Sequence, residues 1–345
     1  MLVLGIETSC DETSISVIEV SEDQIVVKTN IVSSQIKKHA PFGGVVPSLA
    51  AREHIKNLPY VLKEALGDLD MEKIDLIAVT SGPGLISSLL VGTTFAKTLA
   101  YKYYRPIVSV NHMEGHIYSN WLKLDGKKPH LPALCLIVSG GHTQLTLMTG
   151  HGKYKTIGQT VDDAAGEAFD KIARILELGY PGGPVISATA EKFSISSSQF
   201  SIKLPRPMIN SKNYNFSFAG LKTAVLYKVR ELTKKYPLEK IRSEMAHEAQ
   251  EAIVDVLIQK TIRAIKEFKV KSVMLSGGVS ANNILRQRLI EAGEKLKIPV
   301  LVPDWEYTTD NAAMIAVAGY FSNKHSKIKN VSWEKVKADA SWEIA

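Results

Sequence analysis

The chain is 345 residues long, which exceeds what one hydrophobic core usually supports, so two domains are expected. Hydrophobic residues make up 45% of it, yet no apolar run reaches membrane-spanning length, and its two cysteines exclude both a disulfide framework and a cysteine zinc site. The formal charge of +7 is compatible with a polyanionic partner such as RNA, although Lys-rich surfaces also serve solubility and thermostability.

The first predicted element is a strand over residues 2–6. It is too short, and too soon followed by Asp11 and Glu12, to be a signal peptide, and with so few cysteines a reducing cytoplasm is expected. A small polar turn and a second strand over residues 14–18 follow. Residues 134–148 repeat this strand–turn–strand plan, which predicts a duplicated α/β domain with both turns facing one central cleft.

Strand–helix units are predicted elsewhere in the chain. Residues 74–80 form a strand, and after a Gly-Pro-Gly break a mostly apolar helix runs over about residues 85–101. Residues 272–275 form another strand, which ends at a Ser-Gly-Gly turn before a helix that contains Asn282. Glycines at such junctions permit a ligand to approach the backbone closely, or simply form a tight turn.

Two further expectations concern the second half of the chain. Asp162 and Asp163 are expected to cap a helix that ends near Gly179. The Lys-rich tail beyond Ser322 is expected to be peripheral.

The most informative local pattern is His112-Met113-Glu114-Gly115-His116. Two histidines four apart on a helical turn point the same way and can reach one metal ion. The spacing resembles that of zinc proteases, but their general base directly follows the first histidine, where this chain has Met113. Glu114 comes one residue late and is turned roughly 100° further around the helix. The pattern therefore predicts a metal site without the protease's base.

Ten motifs in a fixed order carry a resemblance to a known family. They are ETSCDET, GGVVPSLAAR, TSGPGL, NHMEGH, VSGGHT, DDAAGEAFDK, GYPGGP, NFSFAGLKT, SGGVSANN and TDNAAM, and they extend from Gly5 to about Gly319. Together they resemble the TsaD (formerly Gcp) family of tRNA threonylcarbamoyladenosine transferases, and ETSCDET is typical of its bacterial or organellar form. Ser48 and Ala219 depart from the family's usual Glu and Ser, away from the metal and adenylate positions.

The resemblance implies a two-lobed α/β fold of the actin-like ATPase (hexokinase/actin) superfamily, with duplicated ribonuclease H-like domains around a central cleft. Lobe I is expected to comprise residues 1–133 and 309–345, and lobe II residues 134–308. The implied reaction transfers a threonylcarbamoyl group from threonylcarbamoyl-adenylate to N6 of the adenosine at position 37 of tRNAs that read ANN codons, and releases AMP.

The resemblance also implies a metal centre. His112, His116 and Asp310 are its expected ligands, holding one Fe(II) per subunit. Two imidazoles and one carboxylate leave coordination positions open, which suits Fe(II) and also accepts zinc, so the residue types alone do not choose between them. The alternative for Asp310 is the N-cap of a helix, which is compatible with metal binding.

The same resemblance assigns eight residues to the adenylate. They are Val138, Ser139, Gly140, Gly141, His142, Asp170, Gly183 and Asn282. Backbone N–H groups at the paired glycines can approach a phosphate, and Gly183 leaves room for the nucleoside. Asp170 offers acceptors to ribose hydroxyls, in place of a solvated ion-paired role, and Asn282 can donate to and accept from an adenine edge.

Glu12 and His142 are the candidate catalytic residues. The donor is a mixed anhydride with a good leaving group, whereas the aromatic amine is a poor nucleophile, so catalysis is expected to rest on positioning and charge stabilisation. We hypothesise that Glu12 arranges the ligand or removes the amine proton; the alternative is an ordinary surface carboxylate. His142 is placed to contact the phosphate.

The expected partners are tRNA, the adenylate (with ATP, ADP or AMP as analogues), a TsaB dimer partner, a TsaE-like ATPase and a TsaC/Sua5-type enzyme that supplies the donor. No membrane partner is expected, and whether the chain works alone is left open. Three rival functions are considered: an ATP-driven phosphotransferase or chaperone-like ATPase, a metalloprotease, and a non-catalytic RNA-binding subunit.

Overall fold

Two five-stranded sheets organise the chain. A computed structural model describes residues 1–22, 24–122, 128–194, 198–325 and 332–344. The chain divides into two compact units: Met1–Pro129, Met148–Lys155 and Pro303–Ala345 form the first, and His130–Leu147 and Thr156–Val302 form the second. The predicted lobe boundaries differ from this division at three places: residues 130–133 belong to the second unit, and Met148–Lys155 and residues 303–308 belong to the first.

The sheet of the first unit consists of β1 (Leu2–Glu7), β2 (Glu12–Ser21), β3 (Gln24–Ser34), β4 (Leu76–Gly82) and β5 (Ile107–Asn111). Its strand order is β3-β2-β1-β4-β5. The hairpin strands pair antiparallel, whereas β4 and β5 extend the sheet in parallel from β1. The parallel strand β4 is buried along its whole length, as expected for a strand covered on both faces.

Four helices belong to this part of the chain: α1 (Ile36–His39), α2 (Pro47–Leu66), α3 (Ile86–Tyr103) and α4 (His112–Tyr118). The helix predicted over residues 85–101 is confirmed as α3. Helices α2 and α3 pack against one another beside the sheet, with Leu58 and Ala96 in a shared core cluster. Helix α4 follows β5 directly, so the strand end delivers its first residue, His112.

The second sheet consists of β6 (Ala133–Val138), β7 (Thr143–Gly150), β8 (Lys153–Gln159), β9 (Ser272–Ser276) and β10 (Val300–Leu301). Read from its far edge the order is β8-β7-β6-β9-β10, which repeats the first sheet strand for strand. Strands β6, β9 and β10 pair in parallel, as their counterparts do. The predicted duplication is therefore confirmed at the level of topology.

The helices that follow are α5 (Ala165–Ile175), α6 (Gly182–Ala190), α7 (Ala219–Leu232), α8 (Leu238–Phe268) and α9 (Asn283–Leu296). The predicted cap of α5 by Asp162 is wrong. Asp162 accepts hydrogen bonds from the backbone N–H of Phe218 (2.8 Å) and Ala219 (3.3 Å) and from the Ser217 hydroxyl, so it caps α7. The partner lies 56 residues away in sequence, which local pattern analysis does not reach.

The last helix, α10 (Ala312–His325), returns to the first unit and packs against β1, β2, β4 and β5. Residues 332–344 are mostly exposed, in agreement with the expected peripheral tail, except that Val336 is 2% exposed within the core of this unit. Residues 326–331 lie outside the described part. Among the described residues, no helix is both long and apolar enough to cross a membrane.

Candidate metal centre and nucleotide-binding turns

Helix α4 presents two histidines on one face. Asn111 begins the helix by capping it: its side-chain oxygen accepts the Met113 N–H at 2.9 Å. His112 is therefore the first helical residue, and His116 lies one turn later. Both imidazoles are buried, and their ring centroids are 4.6 Å apart. The predicted helical arrangement of the pair is present.

Asp310 joins the pair from a distant part of the chain. Its Oδ1 lies 3.5 Å from His112 Nε2 and 3.2 Å from His116 Nε2. The ligand atoms of the three side chains lie within 4.8 Å of one another, which is close enough to hold one ion. The capping of α10 is performed by Asn311, whose side-chain oxygen accepts the Met314 N–H at 3.0 Å. Asp310 is thus directed to the histidines rather than to the helix start.

The chemistry of these donors fits a metal ion. Within the described residues, both ring nitrogens of His116 are buried and have no hydrogen-bond partner, although Nε2 faces the Asp310 carboxylate. A buried polar group without a partner costs about 1–3 kcal/mol, so it calls for a ligand. Two imidazoles and one carboxylate are a donor set that divalent transition metals accept.

Glu7 supports the centre, although no sequence pattern predicted it. It is fully buried, and its Oε2 lies 3.1 Å from His112 Nδ1 and accepts the Thr80 hydroxyl at 2.6 Å. The Ser9 hydroxyl also lies 3.2 Å from His112 Nδ1. A carboxylate behind a histidine orients the ring and raises its basicity as a ligand. The available signal was a lone acid at the end of an apolar strand.

The electrostatics of the centre favour positive charge. Burial lowers the pKa of His112, but the carboxylates of Asp310 and Glu7 outweigh it and raise that pKa to about 9. Burial would raise the pKa of Glu7, yet His112 and its hydrogen bonds bring it below the usual value. The same field that holds a proton on His112 attracts a cation in its place.

The two other acids of the motifs differ in their surroundings. Glu12 begins β2, and its Oε1 accepts the Ser34 hydroxyl at 3.2 Å. Burial, followed by the charges of Asp11 and Asp310, raises the pKa of Glu12 well above its usual value. Glu114 lies beside Tyr154, and burial raises its pKa as well. Glu114 is not part of the three-residue ligand group.

In the second unit the turn between β6 and β7 is held by its own hydrogen bonds. Ser139 N–H donates to the His142 carbonyl at 2.8 Å, and His142 N–H donates to the Ser139 hydroxyl at 3.1 Å. A Cβ built on Gly140 or Gly141 would meet nothing within 4 Å among the described residues. The turn thus presents backbone to open space after the buried Val138, as a phosphate-binding turn requires.

Asp170 and the start of α6 form a second element. Oδ1 of Asp170 accepts the Gly182 N–H at 2.6 Å. A Cβ on Gly182 would lie 2.4 Å from the Asp170 Cα, whereas one on Gly183 would meet nothing described within 4 Å. Gly182 therefore permits close packing of α6 on α5, and the space lies at Gly183. Gly183 was predicted from the sequence, whereas the structural need for Gly182 was not.

Asn282 takes part in a buried polar cluster. Its side-chain oxygen accepts the Leu285 N–H at 2.9 Å and caps α9. Its side-chain N–H groups donate to Gln250 (2.8 Å) and to Ser187 (3.0 Å). The cluster ties α6, α8 and α9 together, and contact of Asn282 with an adenine edge stays a prediction. Gln250 and Ser187 had no recognisable signal in the sequence.

Comparison with solved structures shows the fold. HypF of T. kodakarensis matches with a TM-score of 0.57 at 13% identity, over 93% of this chain and 47% of that one. Component A of the (R)-2-hydroxyglutaryl-CoA dehydratase of Acidaminococcus fermentans matches with a TM-score of 0.52 at 13% identity, over 93% and 98%. Together with the equal strand order of the two sheets, these matches show that the chain has the actin-like ATPase fold, as predicted.

Comparison by sequence is more specific. The family model TsaD, described as tRNA N6-adenosine threonylcarbamoyltransferase, matches residues 26–317, so residues 332–344 lie beyond it. Proteins of that name from Thermosipho africanus and Fervidobacterium nodosum are 50% identical over 323 residues and 46% identical over 340. The alignment with the Thermosipho protein covers 93% of this chain and 94% of the relative. The alignment with the Fervidobacterium protein covers 97% of both. The chain belongs to the TsaD family of tRNA N6-adenosine threonylcarbamoyltransferases, which confirms the predicted family and activity.

Proposed function

We propose that this tRNA transferase takes its threonylcarbamoyl group from threonylcarbamoyl-adenylate, delivers it to adenosine 37 of ANN-decoding tRNAs, and depends on one Fe(II) ion held by His112, His116 and Asp310. The observation that carries the metal dependence is the buried His116 ring without hydrogen-bond partners beside Asp310. When bound there, the ion would supply Lewis acidity and a fixed positive charge. Zinc is the alternative occupant in a purified sample.

The adenylate donor is supported by the second unit. The open backbone at Gly140 and Gly141 suits a phosphate, and the space at Gly183 suits the nucleoside. Asp170 places its carboxylate at the start of α6, where it accepts the Gly182 N–H. His142 closes the turn through its backbone, and its ring is the candidate contact to the phosphate.

Glu12 is the proposed acceptor of the proton that the attacking amine loses. As the amine nitrogen bonds to the carbamoyl carbon, the bond to the phosphate oxygen breaks and AMP leaves with the electron pair. A carboxylate whose pKa is raised by burial and by the neighbouring acids is a stronger base than an exposed one. An alternative role for Glu12 is to arrange the ligand, which would change KM rather than the rate of a single turnover.

Reconstitution tests the proposal. The chain is incubated with unmodified tRNA, threonine, bicarbonate, ATP, a TsaC/Sua5-type enzyme and the TsaB-like and TsaE-like proteins. The nucleosides are analysed by mass spectrometry alongside the iron and zinc content of the same sample. We expect threonylcarbamoyladenosine with the native chain, and loss of both metal and product with Asp310→Ala. A variant that loses the metal but keeps the transfer rate would contradict metal dependence, and undiminished single-turnover transfer by Glu12→Ala would remove Glu12 from the mechanism.

The rival activities give different products. A phosphotransferase would phosphorylate small alcohols from ATP, and a metalloprotease would cleave a glycoprotein in a manner abolished by His112→Ala. We expect neither reaction. A non-catalytic RNA-binding subunit would bind tRNA and leave it unmodified even with all helper proteins present.

The proposed helpers are a TsaB-like dimer partner and a TsaE-like ATPase, acting in the cytoplasm. An apolar surface on the first unit supports a protein partner: Ile86 and Leu90 lie one turn apart on α3 and are about half exposed, and Ile55 and Tyr60 are exposed on the adjoining α2. Leu90→Glu should abolish binding of the TsaB-like protein in calorimetry, whereas Ile290→Glu, at an exposed apolar residue of α9, should not. Equal binding by both variants would exclude this surface.

A further inference from the structure

The C-terminal residues 332–344, here called the strap, are tied to the first unit along their length. Trp333 packs edge-on against Tyr101 with ring centroids 5.5 Å apart, and Val336 is buried in the core. Further on, the Asp339 N–H donates to the Ser81 carbonyl at 2.7 Å. The strap thus ends over the end of β4 and beside the start of α4.

One connection runs from the strap to the helix that carries the histidines. Asn111 Nδ2 donates to the Trp342 carbonyl at 3.0 Å, while the oxygen of the same amide accepts the Met113 N–H at 2.9 Å. The strap carbonyl therefore holds the amide in the orientation that caps α4. Because His112 is the first residue of the helix, this cap sets where its ring lies.

A second connection reaches the same ring from the other side. The end of β4, which Asp339 holds, continues through a short loop to Leu85, whose N–H donates to the Ser9 carbonyl at 2.8 Å. A Cβ on Gly84 would lie 2.7 Å from that same carbonyl, so the loop and the Ser9 turn are in close contact. The Ser9 hydroxyl lies 3.2 Å from His112 Nδ1.

We propose that the strap is a positioning element for His112, and that its docking raises the affinity of the centre formed by His112, His116 and Asp310 for a divalent metal. The proposal rests on the metal site proposed above. By linkage, metal binding must stabilise the docked strap by the same factor. The strap touches neither metal nor substrate, so it acts through the Asn111 cap and the Ser9 turn.

Zinc affinity, measured by competition with a chelator, tests this inference. A chain ended after Ala338 keeps Val336 but loses the contacts of Asp339 and Trp342, and we expect its Zn²⁺ affinity to fall about tenfold, the lower end for loss of an orienting partner. A chain ended after Glu343 keeps every contact named here and should bind as the full chain does. Saturating Zn²⁺ should also slow amide hydrogen exchange at Asp339 in the native chain but not in Asp310→Ala.

A substitution in the full-length chain guards against a truncated chain that does not fold. Asn111→Asp keeps an acceptor for the Met113 N–H but cannot donate to the Trp342 carbonyl, so a similar loss is expected, and combining it with the truncation should add little. Unchanged affinity in both variants, or fully additive losses, would overturn the proposal. If the full chain binds no Zn²⁺, the proposed metal site is wrong. The positioning of His112 by the strap is then tested by the ¹⁵N resonance of His112 Nδ1, which the truncation must shift for that role to stand.

Discussion

Glu7 ends strand β1 with a carboxylate that is fully buried beside His112. A lone buried carboxylate is costly, and here it is compensated by the Thr80 hydroxyl, the Ser9 N–H and the imidazole itself. At the scale of single residues, each buried charged or polar group of the centre is therefore stabilised by its neighbours. Removing the charge of one member changes the affinity of the others for a cation.

Glu7→Gln tests this dependence. The amide preserves the volume of the side chain but removes the negative charge behind His112, so the affinity for Zn²⁺ should fall by about 10–100-fold, with little change in secondary structure. Competition with a chelator and circular dichroism measure the two effects. Glu114→Gln is the matched control in the same unit, because Glu114 lies beside Tyr154 and outside the ligand group. An equal loss in both variants would show that general destabilisation, rather than Glu7, sets the affinity.

The adjacent glycines of α6 should respond in opposite ways to alanine. Gly182→Ala places a methyl group 2.4 Å from the Asp170 Cα and should lower the free energy of unfolding by about 1–3 kcal/mol. At Gly183→Ala the methyl group enters open space, so stability should hold while AMP binding weakens. Urea unfolding and calorimetric titration with AMP distinguish the two. Normal AMP affinity in Gly183→Ala would place the nucleoside elsewhere.

At the scale of elements, the long helix α8 organises the second unit through its acidic residues as well as its apolar face. Glu244 is 6% exposed and accepts hydrogen bonds from Ser198 Oγ and Ile202 N–H, both at 3.0 Å, and from two further backbone N–H groups. Asp255, three turns later, pairs with Arg206 and with Arg288 at 3.0 Å each. The helix thereby holds residues 198–206, an irregular segment that forms neither helix nor strand, in place.

The attachment of residues 198–202 to α8 depends on pH through the Glu244 carboxylate. Burial would raise its pKa, but the four hydrogen bonds lower it below the usual 4.5. The carboxylate therefore stabilises the fold fully above about pH 4.5, and the contribution is lost as the pH falls through the lowered folded-state pKa. At pH 7, Glu244→Gln should reduce the opening free energy at the Ile202 amide by about 1.5–3 kcal/mol.

Hydrogen exchange at the Ile202 amide measures the effect of Glu244. The exposed Glu239→Gln on the same helix is the control and should leave that exchange rate unchanged. The difference between native chain and variant should shrink at acidic pH. A difference that persists well below the folded-state pKa would show that the charge is not the cause.

At the scale of the whole molecule, the two ends of the chain meet in the first unit. Gly5 in β1 lies against α10 so closely that a Cβ would come within 2.1 Å of the Ala312 carbonyl oxygen. Asp310 stands just before this helix. The position of one proposed metal ligand therefore depends on a contact across 307 residues of sequence, from the first strand to the last helix.

Gly5→Ala should displace the start of α10 and with it Asp310. We expect a lower free energy of unfolding, by about 1–3 kcal/mol, together with weaker Zn²⁺ binding. Gly319→Ala is the matched control at the far part of the same helix: its methyl group would meet the Ala78 side chain at 2.4 Å, so stability should fall while affinity is kept. Equal affinities in the two variants would contradict the link between α10 and Asp310.

The local patterns of the sequence were sufficient for the helix with His112 and His116, for α3, and for the repeated strand–turn–strand units. Each of these depends on interactions a few residues apart, where periodicity and turn residues carry the information. The ordered motifs added the family and the pairing of Asp310 with the histidines. The predicted cap by Asp162 was wrong because a nearby helix start and a distant one compete for the same carboxylate, and the sequence does not rank them.

The tertiary structure alone decided which polar groups are buried together. Glu7 behind His112, Gln250 beside Asn282, and the strap carbonyl at Asn111 are each contacts between residues far apart in the chain. A sequence records that such side chains exist, but their pKa values, orientations and partners depend on which surfaces exclude water when the sheets and helices pack. For this protein the sequence alone determined the chemistry that is available, and the packing decided which of its groups face one another.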